Sequence, residues 1–272
     1  MKVTLISYTP DALDLLLFTK NTRLTMSPGA MEEIRNWPEE KKMQELEYMR
    51  NTIQSSWEFV DYVFAIEGVS RAFTHQLVRH RVGTSFAQQA QRVVDMTDFE
   101  YVTGPSIAED EKRQLEYNLD MKHISDMYSY LLKAGARPQD ARGVLPTNIS
   151  TNIIFKANLR TLHDMGLKRL CVKAQGEFQD VFRAIREEVN RVHPWTKNWI
   201  RVQCAWNGTC LFPTFPVSDC PVKPYVYNPE TGSSYGDKTP LSPNQIQTIW
   251  EKERAEAQPT IKVGEESQTT HG

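Results

Sequence analysis

The sequence predicts an α+β fold: a central antiparallel-rich sheet flanked by helices, followed by an extra C-terminal arm. Two observations carry this prediction. Short runs rich in β-branched and aromatic residues, at 2–8, 60–66 and 148–157, read as strands, and stretches with apolar residues three and four positions apart read as helices around them. After residue 206 the texture changes to a Pro-, Gly- and Ser-rich sequence, which divides the chain into an expected folded domain, 1–206, and an extension, 207–272.

Taken in order, Val3 and Leu5 alternate with polar neighbours in the first strand. Pro10 stands at a permitted first-turn position for a helix over 11–19. Ser27, Pro28 and Gly29 predict a turn, and residues 30–35 a short helix. Pro38 opens a longer helix whose buried stripe is Met43, Leu46, Met49 and Ile53, with Glu39 and Glu40 well placed in its first turn. Val60, Tyr62, Phe64 and Ile66 then mark one face of a half-exposed strand ended by Gly68. Val69, Phe73 and Leu77 recur every four residues and predict a helix from Ser70. Residues 92–102 read as extended again. Pro105 introduces a long helix over 107–134, closed by Gly135, and Pro138 a short one ending at Gly143. The strand at 148–157 leads into a helix over 159–165 that should stop near Gly166. Residues 174–192 form the clearest amphipathic helix, with Phe178, Val181, Phe182, Ile185 and Val189 inward. His193, Pro194 and Trp195 break it, and a last short helix runs to about Ala205. The extension reads as an arm to about Tyr235, a helix over 244–257, and disorder after Gln258.

A formal net charge of −2 gives no bulk electrostatic reason to expect nucleic acid or an anionic membrane as partner. No apolar run approaches the roughly 18 residues of a membrane span. The N-terminal stretch, interrupted by Asp11 and Asp14, does not read as a signal peptide. A cytoplasmic protein with reduced thiols is therefore expected. Cys171, Cys204, Cys210 and Cys220 contain no CxxC pair and match no standard zinc spacing, so structural free thiols and no metal are expected.

The densest chemistry lies in residues 70–93. Gln76 and Arg79 are three apart and share a helix side, and Arg79, His80 and Arg81 sit where that helix should end, just before Gly83. The hydroxyls of Thr84 and Ser85 follow. Such a junction suits a planar anionic ligand, because arginine presents a fixed fork of donors and keeps its charge. Singly, such groups also have ordinary explanations. Asn158 is a helix N-cap, Arg142 a helix-end charge, and Arg160 and Arg169 are partners for Asp164 or Glu177.

Together, HQLVRHR and TSFAQQAQR resemble the signature of the flavin-dependent thymidylate synthases: Arg-His-Arg, seven residues, a serine, and an arginine two places later. SSWEF resembles that family's Ser/Thr-x-x-Glu segment. DARGVLPTNIST, KANLRTL and the arginine of LKRL follow in the family's order, so the similarity spans roughly residues 1–205. One extra residue lies among Val82, Gly83 and Thr84; Arg92 matches the closing arginine, and Ala90 replaces the signature serine.

The resemblance implies FAD- and NADPH-dependent reductive methylation of dUMP to dTMP, with methylenetetrahydrofolate as carbon donor. It implies a homotetramer with shared sites; the net charge and the lack of an apolar span lead us to expect neither nucleic acid nor membrane as partner. By resemblance Arg169 and Arg79 are catalytic. Gln76, Arg79, Gln88, Gln89, Ala90, Gln91, Arg92, Arg142 and Arg169 bind the pyrimidine nucleotide, and Ser55, Arg79, His80, Arg81, Gln88, Asn158 and Arg160 the flavin. Ala90 leaves a related carbon-5 modification open: action on UMP or dCMP, or hydroxymethylation.

Overall fold

Alternating apolar side chains build the sheet, and apolar stripes fasten helices to it. The computed structural model describes residues 1–22, 27, 29–256 and 262–263. In chain order the elements are β1 (Lys2–Tyr8), α1 (Ala12–Asn21), α2 (Ala30–Arg35), α3 (Glu39–Thr52), β2 (Asp61–Ser70), α4 (Arg71–Leu77) and β3 (Thr84–Gln88). They continue with β4 (Val102–Thr103), α5 (Pro105–Ala108), α6 (Glu111–Lys133), α7 (Pro138–Ala141), β5 (Ser150–Asn158), α8 (Leu159–Arg169) and α9 (Gly176–Val192). The last are α10 (Gln203–Asn207), β6 (Tyr227–Asn228), β7 (Ser233–Ser234), α11 (Pro243–Glu256) and β8 (Lys262–Val263).

The main sheet has the order β1-β2-β5-β3, with every neighbouring pair antiparallel. Phe64, Phe155 and Phe86 stand in register on three adjacent strands, with ring centroids 6.1 and 5.5 Å apart. Aromatic pairs of this kind pin strand register. Tyr62, Phe64 and Ile66 are fully buried, as their alternation predicted. The five expected apolar residues of α9 are buried as well, and the helix packs on β1 and β2. The α+β prediction therefore agrees with the structure.

Several local expectations do not. β2 passes through Gly68, at φ 65°, as a bulge between Ile66 and Val69 and ends at Ser70, because Val69 and Ser70 still pair with Thr151 and Ser150. Helix α4 stops at Leu77, so Arg79 and His80 lie in the turn beyond it. Residues 84–88, expected to be part of a ligand junction, form edge strand β3. Residues 92–102, expected to be extended, are broken by turns at 92–93 and 97–98, with Asp98 at φ 52°, and join a strand partner only at Tyr101 and Val102. The long helix over 107–134 is two helices, because the Asp110 carboxylate caps α6 by accepting from Arg113 N at 2.8 Å. Helix α8 runs through Gly166 to Arg169, and there the glycine serves packing: a Cβ would lie 3.1 Å from Ile200 Cγ2. In α3, Leu46 and Met49 are buried while Met43 is exposed, so the stripe is narrower than expected.

The extension contributes Val222, Val226, Ile246 and Trp250 to the same core cluster as the sheet. The helix expected over 244–257 is α11. The predicted turn includes Pro28, which lies outside the described residues, as does all of the segment after Gln258 except 262–263. No described helix is long and apolar enough to cross a membrane. The four cysteines form no disulfide, and no group of metal-ligating side chains occurs among the described residues.

Candidate functional site

Two stitches bring the charged residues together. Asn158, at the end of β5, caps α8 by accepting from Thr161 N at 2.9 Å. The turn after α4 is tied to that cap. Asn158 N donates to Gly83 O at 3.1 Å, and Thr161 Oγ1 donates to Val82 O at 2.8 Å. Gly83 has φ 68°, and a Cβ there would collide with Thr161 Oγ1 and Asn158 Nδ2. Only glycine fits both the dihedral and the space.

Between this turn and α8 lies a cavity of about 490 Å³. Arg79, His80 and Arg81 line it from the turn, and Asn158, Arg160 and Lys168 from the other wall. Arg160, Asp164 and Lys168 are four apart and so share one face of α8. Four side-chain cations (Arg79, Arg81, Arg160, Lys168) face two carboxylates (Glu58, Asp164), a surplus of two positive charges. Glu58 already pairs with Arg160 at 2.6 Å. Arg79 and Arg81 make no side-chain hydrogen bond or ion pair among the described residues.

His80 is neutral at working pH. Burial, with the charges of Arg169 and Lys168 added, lowers its pKa to about 4. Arg169 approaches its Nε2 through Nε at 3.3 Å and Nη2 at 3.2 Å, so Nε2 accepts and the ring proton resides on Nδ1. Beneath, Phe178 supports both groups: its centroid lies 4.4 Å from the Arg169 guanidinium carbon and 6.1 Å from the imidazole centroid.

The other expected site residues are placed apart from this cavity. Ser55 is exposed at the start of the 3-10 turn Ser55–Phe59, three residues before Glu58. Gln76 donates to Gln175, at the N-terminal end of α9. Gln88 turns its carboxamide inward, donating to Thr74 Oγ1 at 3.0 Å and Thr151 Oγ1 at 3.4 Å. Gln89 N donates to Asn152 O, and Ala90 O accepts from Val93 N and Val94 N in the turn that follows. Arg92 is exposed. Arg142 donates from Nε to Gln139 O at 3.1 Å and lies near enough to Arg71 that its charge, added to burial, lowers the Arg71 pKa.

Orphaned donors accompany this second group. Arg71 Nη1 and Gln91 Nε2 are shielded from solvent yet have no hydrogen-bond partner among the described residues. A guanidinium without an acceptor, beside a second guanidinium, is an arrangement that an anionic oxygen would relieve. Lys168 and Glu58 line the cavity, and Arg71 lies beside Arg142; none of the three was among the candidate residues named from the sequence, although Glu58 falls in the SSWEF segment. The four-residue spacing from Arg160 to Lys168 was the available signal for Lys168. Arg71 carried none, since only the fold brings it beside Arg142.

Comparison with known proteins gives a consistent answer. The family model described as "Thymidylate synthase complementing protein" matches residues 4–195. The flavin-dependent thymidylate synthase of Clostridium tetani is 33% identical over 228 residues, covering 77% of this chain and 90% of that protein. The enzyme of the same name from Sulfolobus acidocaldarius is 36% identical over 208 residues, covering 71% and 74%. That of Pyrococcus furiosus is 32% identical over 223 residues, covering 77% and 89%.

Proposed function

The chain belongs to the flavin-dependent thymidylate synthases, and from that premise we propose that it converts dUMP to dTMP with FAD, NADPH and methylenetetrahydrofolate. The observation that carries this reading is the cationic cavity where Arg79, His80 and Arg81 face Asn158 and Arg160. A surplus of fixed positive donors suits the diphosphate of a dinucleotide cofactor. In the proposed assignment Arg79, His80, Arg81, Asn158 and Arg160 hold the flavin, and Ser55 and Gln88, which lie apart from this cavity within one chain, complete the set. Gln76, Arg79, Arg142, Arg169 and the 88–92 segment take the nucleotide, and the orphaned donors of Arg71 and Gln91 add acceptor-seeking groups to that set.

The flavin, when bound, supplies the hydride chemistry. What this chain supplies is orientation and charge. Carbon 5 of a uracil becomes electron-rich as negative charge builds on the ring nitrogen and carbonyls, and the Arg169 guanidinium stabilises that charge in proportion to how dry its surroundings are. Burial lowers the Arg169 pKa from its ordinary value, and an arginine side chain keeps its charge at any working pH. Neutral His80 accepts from it without competing for the anion. The dispersal of Gln76, Arg142 and 88–92 away from the cavity supports a site completed by neighbouring chains of a homotetramer. We place this enzyme in the cytoplasm, in keeping with four cysteines that form no disulfide.

Ala90 favours one second reading. Without the serine hydroxyl the pyrimidine loses one specificity contact, so UMP or dCMP could be the substrate, or hydroxymethyl the product. Tritium release from carbon-5-labelled dUMP, UMP and dCMP, dependent on NADPH and methylenetetrahydrofolate, tests both readings. Release from dUMP with a methyl product mass supports the first. Absence of release from dUMP with release from another nucleotide supports the second. A colourless protein that takes up no FAD, even with excess nucleotide, would end both.

A further inference from the structure

The connection between α8 and α9 carries one group of the proposed nucleotide site, Arg169 at its start, and at its end Gln175, the acceptor for a second such group, Gln76. The C-terminal extension, beyond the matched family region, packs directly on this connection. Lys173, exposed at its middle, holds its ammonium 5.3 Å from the ring centroid of Phe212 and 5.1 Å from that of Phe215. Those rings belong to a short segment fastened from behind. Lys223, only 2% exposed, donates to Phe212 O at 3.1 Å, to Pro213 O at 2.6 Å and to Phe215 O. An ammonium has three protons, and each finds a carbonyl, so the buried charge is compensated and the loop is held at three points. Leu167 and Cys171, at and just beyond the α8 end, also meet Cys210, Cys220 and Val222 of the extension around a cavity of about 30 Å³.

We infer that the extension is a positioning element for the nucleotide site: Lys223 shapes the 212–215 segment, and that segment, through Lys173, sets the connection that presents Arg169 and Gln175. Neither lysine touches substrate, so both are positioning residues. The inference rests on the proposed reading of Arg169 and Gln76 as nucleotide-binding groups.

Its test is titration of the full-length flavin-loaded protein with dUMP, read by the flavin absorbance change, alongside the melting temperature. Lys173→Ala removes an exposed side chain and should weaken dUMP about three- to tenfold. Flavin content and melting temperature should stay the same, and Lys173→Arg should restore affinity. Lys223→Met should weaken dUMP similarly while also lowering the melting temperature; should it not fold, Lys173→Ala still decides. Arg169→Ala is the control. If it abolishes dUMP binding while Lys173→Ala binds as tightly as the native protein, the positioning role is overturned and the site reading stands. If Arg169→Ala itself binds dUMP normally, the site reading fails and the inference falls with it.

Discussion

Arg169 and His80, 89 positions apart, meet through one imidazole nitrogen: Nε2 of the histidine lies 3.3 Å from Nε and 3.2 Å from Nη2 of the arginine. A charged fork thus rests on a neutral acceptor, with the Phe178 ring beneath it. This contact fixes the direction of the guanidinium without neutralising it. It therefore leaves the charge available to an anionic ligand.

Replacing the fork by a point charge tests that geometry. Arg169→Lys keeps the charge but loses the planar pair of donors. We expect dUMP affinity to fall about 10- to 100-fold, equivalent to about 1.5–3 kcal/mol for a hydrogen bond to a charged group, with flavin binding retained. Equilibrium titration of the flavin spectrum with dUMP checks it, and unchanged affinity would remove Arg169 from the nucleotide site.

The depressed pKa of His80 has a definite sign. Its folded value of about 4 lies below the ordinary 6.5. Between those values the unfolded chain binds the proton and the folded chain does not, so stability rises with rising pH there. The contribution is complete above pH 6.5 and is lost as the pH falls from about 6.5 toward 4. His163 and His193, whose pKa values burial also lowers, act in the same direction. His80→Gln keeps an acceptor but not the titration. Its urea midpoint should drop less than that of the native protein between pH 7.5 and pH 4.5, and equal drops would contradict the assignment.

Gly83→Ala places a Cβ against the α8 cap at a positive φ. The strained dihedral and the collision with Asn158 and Thr161 should together destabilise the fold by about 1–3 kcal/mol. They should also loosen flavin binding, since Arg79–Arg81 and Asn158 share that seam. Urea denaturation and FAD titration measure the two effects. A variant as stable as the native protein would show that the close approach is not maintained in solution.

Ala90→Ser returns the hydroxyl that the family signature carries at this place. One added hydrogen bond of about 0.5–1.5 kcal/mol would raise dUMP affinity about two- to tenfold. Preference for dUMP over UMP and dCMP should sharpen with it. Competitive measurement of kcat/KM on the three nucleotides tests this, and a fall in dUMP preference would favour the second reading of the substrate.

Much of the local structure was legible in the chain. The alternation of Tyr62, Phe64 and Ile66 and the stripe from Phe178 to Val189 named a buried strand and a buried helix correctly, because each element's periodicity is a property of its own residues. Element ends were less legible. Gly68 and Gly166 looked like stops, yet one is a bulge that strand pairing carries past and the other a packing notch beneath Ile200. Strand β3 escaped notice because its polar and small residues resemble a loop until β5 pairs with it.

By itself the sequence determined most of the helices and three of the four main-sheet strands, the buried sides of β2 and α9, and which family signature lies in residues 75–92, since these depend on spacing along one chain. Only the tertiary structure decided where the polar and charged groups point. Gln88 turned into the fold toward Thr74, Arg169 came to rest on His80, and Arg71 lay beside Arg142 with a donor unsatisfied. Each of these depends on contacts between distant segments and on which polar atoms burial leaves without water, and no local pattern encodes that.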